Sequence, residues 1–231
     1  MNVLITGCSS GIGYELSLRF ASEAHNVVAV SRNEKALLAL KNNYPQNITI
    51  AVYDITNPEP SHLLQLLKDN NFNHLDIIIN NAGLLISKPF EEITLQDFEK
   101  SYATNVFAPA MLVQKLLPLL KASKNKKHIV NIGSMGGYQG SSKFAGLSAY
   151  SSSKGALCTL TECMAEELKE HNIAANCLCL GAVNTPMLAQ AFPGYEAPVN
   201  AKDMADYIYN FAIASHHVMN GKIIPVSLST P

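Results

Sequence analysis

The stretch that decides the fold is Thr6-Gly7-Cys8-Ser9-Ser10-Gly11-Ile12-Gly13. It follows the apolar run Val3-Leu4-Ile5 and leads into a segment with helical spacing of apolar residues. Glycines let such a turn tighten and let the backbone approach a pyrophosphate, while the free N–H groups at the helix start supply donors and the positive end of a dipole. Any tight connection between a strand and a helix can also be rich in glycine. Here the strand–turn–helix context is the one that a dinucleotide site requires.

Short β-branched runs recur along the chain and alternate with longer segments of helical periodicity. After the first run they are Val27–Val30, Ile48–Val52, Ile77–Ile79, Ile129–Ile132, Ala174–Leu180 and a last edge strand, Lys222–Ser227. The runs are continuously apolar, as strands covered by helices on both faces must be, so they predict a parallel sheet. Helices are expected near residues 12–24, 33–42, 60–70, 97–121, 150–170 and 201–215. The pattern predicts an α/β fold with a doubly wound sheet of about seven strands.

Length and composition favour one globular domain spanning residues 1–231. The chain is 48% hydrophobic and 15% charged, which suits a large core and argues against disorder. Its formal net charge of -1 provides no basic field for nucleic acid or anionic lipid, so neither is an expected partner. Five cysteines without dense spacing predict free thiols in a reducing compartment. Cys177-x-Cys179 has no second pair and no histidine at ligand spacing, so no metal site is expected.

No targeting or membrane segment is expected. The start of the chain lacks the basic region of a signal peptide and turns at once into glycine. The longest apolar stretch, Val106–Leu120, is interrupted by prolines, a glutamine and a lysine, and falls short of the roughly 18 uninterrupted residues of a membrane span. We therefore expect a soluble, cytoplasmic protein.

The end of the second strand bears on the choice of cofactor. An acidic residue there would hold the ribose 2′-OH of NAD, but the chain has Ser31-Arg32. A hydroxyl and a guanidinium can bind a 2′-phosphate through charge-assisted hydrogen bonds, which a carboxylate would repel. The pair predicts a preference for NADP(H) over NAD(H). The alternative is a solvated arginine beside the next helix.

Tyr150 and Lys154 are four residues apart in a helical segment, so both side chains project from the same face. A tyrosine with a pKa of about 10 is a weak acid–base catalyst at neutral pH, and a nearby ammonium lowers that pKa by stabilising the phenolate. The same spacing is common in surface helices. Ser134, just after a strand, and Asn105, in the long helix before that strand, would bring a hydroxyl and an amide to the same sheet edge. The four residues together predict a catalytic group.

With these motifs in order, the chain resembles the short-chain dehydrogenase/reductase family over essentially its whole length. The matching elements are Thr-Gly-x-x-x-Gly-x-Gly at Thr6 to Gly13, Asn-Asn-Ala-Gly at Asn80 to Gly83, Asn105, Ser134, and Tyr-x-x-x-Lys at Tyr150 and Lys154.

The resemblance implies a Rossmann sheet that binds a nicotinamide dinucleotide. In carbonyl reduction Tyr150 would donate the proton, Ser134 would hydrogen-bond the substrate oxygen, Lys154 would hold the nicotinamide ribose and lower the tyrosine pKa, and Asn105 would position water. Asp54 and Ile55 would lie beside the adenine, and Thr185 near the nicotinamide amide. The implied cofactor-binding set is Gly7, Ser9, Ser10, Gly11, Ile12, Gly13, Ser31, Arg32, Asp54, Ile55, Asn81, Ala82, Gly83, Tyr150, Lys154, Gly181, Val183 and Thr185.

Three features depart from the family pattern. Leu180-Gly181 stands where Pro-Gly is usual, so the turn must rely on Gly181 alone. The loop after Ser134 contains Ser141 and Ser142, either of which could compete for its role. The segment from Pro186 to Val199 is short, which predicts a small lid and an open site; its apolar residues could line a pocket or merely pack the loop.

The expected function is NADP(H)-dependent reduction of a small-molecule carbonyl (a ketone, an aldehyde or a 3-oxoacyl-like group), or oxidation of the matching alcohol. A non-catalytic NADP(H)-binding redox sensor and an NAD-linked secondary alcohol dehydrogenase are the alternatives. Apolar residues on more than one face of the two long helices predict a homodimer or homotetramer. They are Met111, Leu112, Leu116, Leu157, Leu160 and Met164.

Overall fold

The computed structural model describes residues 1–57, 59–125 and 127–228. Within them, seven strands form one parallel sheet and two short strands pair separately. The strands are β1 (Asn2–Thr6), β2 (Asn26–Ser31), β3 (Ile48–Val52), β4 (Ile77–Asn80), β5 (Lys127–Ser134), β6 (Ile173–Leu180), β7 (Val183–Asn184), β8 (Val199–Asn200) and β9 (Ile223–Val226).

Helices connect these strands. They are α1 (Gly11–Ser22), α2 (Glu34–Lys41), α3 (Ser61–Asp69), α4 (Leu95–Tyr102), α5 (Ala108–Ala122), α6 (Ser148–Glu167), α7 (Pro186–Ala191) and α8 (Ala201–Ala214). Local sequence explains several helix starts. Thr94 and Asp97 form a capping box at α4, and the Asn33 and Asn200 side chains accept backbone hydrogen bonds at α2 and α8.

The sheet order is β3-β2-β1-β4-β5-β6-β9, so the chain winds outward from β1 in one direction and then returns to β4 beside it. Alternate residues of one strand enter opposite cores: Val3 and Ile5 pack in one layer, and Leu4 in the other. The doubly wound α/β fold is confirmed, with its last strand at the sheet edge. Ligands in such sheets bind at the carboxyl ends of the strands, where the winding direction reverses.

Two parts of the chain differ from the sequence prediction. The helix expected over residues 97–121 contains a π-helical turn, Ala103–Phe107, between α4 and α5. The segment from Pro186 to Val199, predicted as a lid loop, begins with helix α7. It forms a helix because Thr185 caps α7, accepting a hydrogen bond from the Leu188 backbone N–H at 3.3 Å.

The continuous helical segment Leu95–Ala122 is long and apolar enough, by length and composition, to cross a membrane. Its inward residues, among them Leu116 and Leu120, are fully buried in the core. A helix with one face packed in this way is weak support for a membrane span.

Of the six apolar residues from which the assembly was predicted, four are buried in the core of the chain itself and so offer no free surface to a partner. These four are Leu112, Leu116, Leu157 and Met164. Met111 is 43% exposed. Other exposed apolar side chains of this region are Leu95 and Phe107.

Candidate active site

The glycine-rich turn after β1 has no room for larger side chains. Gly7 and Gly11 have φ angles of +76° and +59°, which favour glycine. A Cβ on Gly13 would lie 2.3 Å from the carbonyl oxygen of Gly7 and 2.5 Å from Nδ2 of Asn81. The turn therefore depends on glycine for both conformation and packing.

Asn81 and Thr6 hold this turn against the end of β4. Asn81 Nδ2 donates to the Thr6 carbonyl oxygen at 2.9 Å, and Thr6 Oγ1 accepts from the backbone N–H groups of Asn81 and Ala82 at 3.1 and 3.0 Å. The Asn81 side chain thus braces the turn that would carry the cofactor. Ala82 and Gly83, which follow Asn81, line a cavity that opens beside this turn.

The start of α1 contributes Ser10, Gly11 and Ile12 to the lining of a cavity beside the glycine-rich turn. Ser10 is the N-cap residue, but its side chain makes no capping hydrogen bond within the described residues. The first helical turn also contains no acidic residue. N–H groups left free at a helix start bind anions, so this end of α1 suits a pyrophosphate.

At the end of β2, Arg32 extends into solvent with its side chain 80% exposed. Its Nη1 lies 3.7 Å from Oδ2 of Asp54. Burial raises the pKa of Asp54, but hydrogen bonds from Thr56 and the Arg32 charge outweigh it and lower the pKa below its ordinary value. Ser31 Oγ accepts a hydrogen bond from the Asn33 backbone N–H at 3.3 Å. This end of the site is polar and open.

A cavity of about 530 Å³ opens beside the glycine-rich turn. It brings together fourteen of the predicted site residues: Gly7, Ser9, Ser10, Gly11, Ile12, Asn81, Ala82, Gly83, Ser134, Tyr150, Lys154, Gly181, Val183 and Thr185. Six others lie outside its lining: Gly13, Ser31, Arg32, Asp54, Ile55 and Asn105.

Ser134 and Tyr150 meet at the cavity wall. Ser134 is the last residue of β5, and Tyr150 lies in the first turn of α6. Burial raises the pKa of Tyr150, against the effect of a hydrogen bond with the Ser134 side chain. Tyr150 therefore stays protonated at neutral pH and can act as a proton donor.

Lys154 lies one helical turn after Tyr150 and is almost fully buried. Its Nζ donates to the Ile132 carbonyl oxygen at 2.7 Å and lies 5.9 Å from the centre of the Tyr150 ring. Burial lowers the pKa of Lys154 to about 8. The predicted lowering of the Tyr150 pKa is wrong in direction, because burial of the phenol raises that pKa.

Asn105 occupies the π-helical turn, a rare conformation that is frequent at functional sites. Its Nδ2 donates to the Leu84 carbonyl oxygen and to Ser153 Oγ, both at 2.9 Å, and its Oδ1 accepts from the Leu84 backbone N–H at 2.8 Å. The amide is fully buried. It joins the loop after β4 to α6, so the structure gives this side chain a bracing position, and it is not among the residues that line the cavity.

The serines that follow Ser134 have different positions. Ser141 Oγ donates to the carbonyl oxygens of Met135 and Tyr138, which folds the loop onto itself. Ser134 lines the cavity, whereas Ser141 and Ser142 are absent from its described lining. The geometry therefore favours Ser134 over its two competitors.

The turn after β6 is held by a backbone hydrogen bond and by close packing at Gly181. The Gly181 backbone N–H donates to the Val226 carbonyl oxygen at 2.8 Å, and a Cβ on Gly181 would lie 2.4 Å from Ser227 Oγ. Thr185 stands immediately before the lid and lies close to the glycine-rich turn. A Cβ on Gly11 would be 3.2 Å from Cγ2 of Thr185. The lid thus begins directly over the start of α1.

Residues 1–196 match the family described as short chain dehydrogenase. The chain belongs to the short-chain dehydrogenase family. A fatty acyl-CoA reductase of Acinetobacter baylyi is 32% identical over 89% of this chain and 70% of its own length. An uncharacterized oxidoreductase of Staphylococcus epidermidis is 28% identical over 94% of this chain and 93% of its own. This short-chain dehydrogenase is therefore an oxidoreductase by family.

Solved structures agree with this assignment. ElxO with NADP bound has a TM-score of 0.85 at 27% identity, covering 98% of this chain and 96% of its own. A 4-hydroxyisoleucine dehydrogenase complexed with NADH has a TM-score of 0.81 at 26% identity, with the same coverage. Both similar proteins hold a nicotinamide dinucleotide: the first holds NADP and the second holds NADH.

Sequence reasoning missed much of the apolar wall of the cavity. Its unpredicted members outside the lid include Leu85, Met135, Phe144 and Leu147. Of these, Leu85 follows the Asn-Asn-Ala-Gly motif by two residues, which is a usable signal. Phe144 lies in an irregular loop, where no periodicity shows which way a side chain points.

Proposed function

We propose that this short-chain dehydrogenase uses NADP(H) to reduce a carbonyl group, or to oxidise the matching alcohol, with Tyr150 as the general acid or base. The observation that carries the proposal is the meeting of Tyr150, Ser134 and Lys154 on one cavity beside the glycine-rich turn. A proton donor, a second hydroxyl and a cation are the groups that a developing alkoxide needs.

The residues of the site have separate roles in binding the cofactor and in transferring the proton. The start of α1 and the braced glycine-rich turn would hold the pyrophosphate, and Lys154 would hold the nicotinamide ribose. The cofactor, when bound, supplies or accepts the hydride. Ser134 orients the substrate oxygen by a hydrogen bond, and the protonated Tyr150 hydroxyl delivers its proton to that oxygen. Asn105 acts as a positioning residue, since it ties α6 to the loop after β4.

Preference for NADP(H) is proposed from the exposed Arg32. Its guanidinium is free to turn toward a 2′-phosphate, because the ion pair with Asp54 is long and solvated. A specific observation also favours the NAD-linked alternative: Asp54 places a carboxylate at the same end of the site. Competitive titration of the two cofactors separates the two proposals.

An apolar carbonyl compound fits the cavity. The cavity is lined by Met187, Leu188, Phe192 and Tyr195 of the lid segment and by Leu85 and the rest of the apolar wall. Met187 and Tyr195 are 41% and 51% exposed, so they can bury apolar surface when a substrate enters. This wall favours substrates with an alkyl, acyl or aromatic group beside the carbonyl.

The experiment is a screen of aldehydes, ketones, quinones and 3-oxoacyl thioesters with NADPH, followed by Tyr150→Phe on the best substrate. Loss of the proton donor should lower turnover by about 10²–10⁴-fold while folding and NADPH binding stay nearly intact. Tyr207→Phe on the outer face of α8 is the matched control and should keep full activity. If Tyr150→Phe reduces the substrate as fast as the parent, Tyr150 is not the acid.

The same experiment addresses the alternative of a non-catalytic redox sensor. A sensor would bind NADPH and turn over no member of the screen. An absence of turnover that persists with pure, folded, NADPH-binding protein would favour the sensor over the enzyme.

We also propose a homodimer or homotetramer, supported by the exposed apolar side chains Leu95, Phe107 and Met111. The free thiols suit a reducing compartment such as the cytoplasm. Light scattering at micromolar protein should give a mass of two or four chains, and a monomeric mass would contradict the assembly.

A further inference from the structure

Three cysteines meet in the core directly behind the candidate active site. Cys158 comes from α6, and Cys177 and Cys179 from the same side of β6. The Cys158 sulfur lies 3.5 Å from that of Cys179 and 4.0 Å from that of Cys177, and all three sulfurs are within 4.8 Å of one another. We call these residues the thiol triad.

The backbone around the triad leaves space for the sulfurs. On the neighbouring strand β5, a Cβ at Gly133 would lie 2.7 Å from Sγ of Cys177 and 3.0 Å from Sγ of Cys179. Any other residue at this position would displace both sulfurs. The cluster thus depends on a glycine in β5, two cysteines in β6 and one in α6.

The sulfur separations match those of thiolates that share one metal ion. Taking the zinc–thiolate bond of about 2.3 Å as a guide, two bound sulfurs lie about 3.8 Å apart in a tetrahedral site and about 4.0 Å apart in a trigonal one. The observed distances of 3.5 and 4.0 Å are within about 0.5 Å of these values, and the third separation is at most 4.8 Å. Little movement is needed to bring three sulfurs around one ion.

The ligand set points to a soft ion. Zinc in structural sites takes four ligands, and among the described residues the group contains only the three cysteines. Thiolates without oxygen or nitrogen ligands select Cu(I) over harder cations. A positive charge lies close by to offset the thiolates, since Lys154 is buried one helical turn before Cys158 in α6.

We propose that the thiol triad is a trigonal site for one thiophilic monovalent metal ion, Cu(I). Three S–H bonds break and three Cu–S bonds form as the ion enters, the three protons leave to solvent, and no electron is transferred. Cys158, at 8% exposure, is the point of entry, since Cys177 and Cys179 are fully buried. Cys177 and Cys179, which the sequence predicted not to form a metal site, provide only two ligands by themselves. Cys158 of α6 supplies the third ligand.

The test is Cu(I) binding by the full-length protein under anaerobic conditions, after a thiol count has shown all five cysteines reduced. A chromogenic Cu(I) chelator competes for the ion, and Cu–thiolate absorption in the ultraviolet reports the bound form. The expected result is one copper per chain held against the chelator. Cys158→Ala and Cys179→Ala should each lose it.

Two matched controls show whether copper binding depends on the triad and not on cysteines elsewhere in the chain. Cys163→Ala removes an exposed thiol from the same helix, and Cys8→Ala removes a buried thiol from another part of the core; both should retain one copper per chain. Melting curves of the copper-free variants identify any that fail to fold, and Cys177→Ala then replaces that variant. Failure of the parent to hold copper, retention of copper by folded triad variants, or its loss in Cys163→Ala would overturn the proposal. None of these readouts depends on reductase activity, so the proposed function stands or falls separately.

Discussion

The two ends of the proposed cofactor site are built in different ways. At the catalytic end, Lys154 is buried, and its Nζ is hydrogen-bonded to the Ile132 carbonyl oxygen at 2.7 Å. At the adenosine end, the Arg32 side chain is 80% exposed and its closest ionic partner is 3.7 Å away. The catalysed reaction needs groups in fixed positions and a low dielectric, whereas a mobile cation in water is enough to bind a 2′-phosphate.

Substitutions should have larger effects at the buried catalytic end than at the exposed adenosine end. A buried group with several partners loses all of them at once, and its neighbours are left without partners of their own. An exposed charge loses one screened interaction. Effects on binding and turnover should therefore fall steadily from the catalytic end to the adenosine end.

The largest effect at the level of a single charge is expected for Lys154→Met. Loss of the buried ammonium should weaken NADPH binding and lower turnover by about 10²–10³-fold, the usual effect of removing one preorganised donor from an active site. Steady-state kinetics and fluorescence titration measure the two parts. If only turnover falls, Lys154 does not hold the cofactor.

The pH dependence of the parent sharpens the same prediction. The pKa of Lys154 is lowered from 10.5 to about 8 by burial, so the folded protein loses this proton as pH rises through about 8. NADPH affinity should fall over that range, and Lys154→Met should abolish the dependence. Folding stability should change in the opposite direction: between about 8 and 10.5 the unfolded chain binds more protons than the folded one, so stability rises with pH.

Gly13→Ala should come next, because the new Cβ would lie 2.3 Å from the Gly7 carbonyl oxygen. Overpacking of this kind costs about 1–3 kcal/mol, which here distorts the turn that meets the pyrophosphate and should weaken both cofactors by up to about a hundredfold. Gly155→Ala is the matched control, since its nearest contact would be 3.4 Å. It should keep its cofactor affinity and gain helix stability. Equal affinities in both variants would show that the turn tolerates a side chain.

Sequence was sufficient where a local rule determines the structure. The continuous apolar runs predicted the strands, and the four-residue spacing of Tyr150 and Lys154 predicted that they share a helix face. The thiol triad shows that such local rules do not predict contacts between distant parts of the chain. Cys177 and Cys179 are neighbours by strand periodicity, but Cys158 joins them only because α6 packs on β6 opposite Gly133. The bracing position of Asn105 was missed for a similar reason, since a π-helical turn depends on the contacts that surround it.

Arg32→Ala tests the adenosine end. A charge-assisted hydrogen bond contributes roughly 1.5–3 kcal/mol, so the preference for NADPH over NADH should shrink by about tenfold to a hundredfold. NADH affinity itself should hardly change. Lys35→Ala, which removes an equal charge nearby on α2, controls for long-range electrostatics. Equal affinities of the parent for both cofactors would remove the basis for an NADP preference.

The smallest effect is expected for Asp54→Asn, and its sign is informative. The amide can still accept the hydrogen bonds from the Thr56 N–H and hydroxyl groups, so the local turn should persist. Removing the carboxylate frees Arg32 and removes a charge that repels a 2′-phosphate, which should raise NADPH affinity. An exposed pair contributes at most about 1 kcal/mol, so the gain should stay below about fivefold and shrink as salt is added. The gain should vanish in an Arg32→Ala background if it acts through that guanidinium. A loss of NADPH affinity would instead mean that Asp54 binds the cofactor directly, and the adenosine end would then resemble an NAD site.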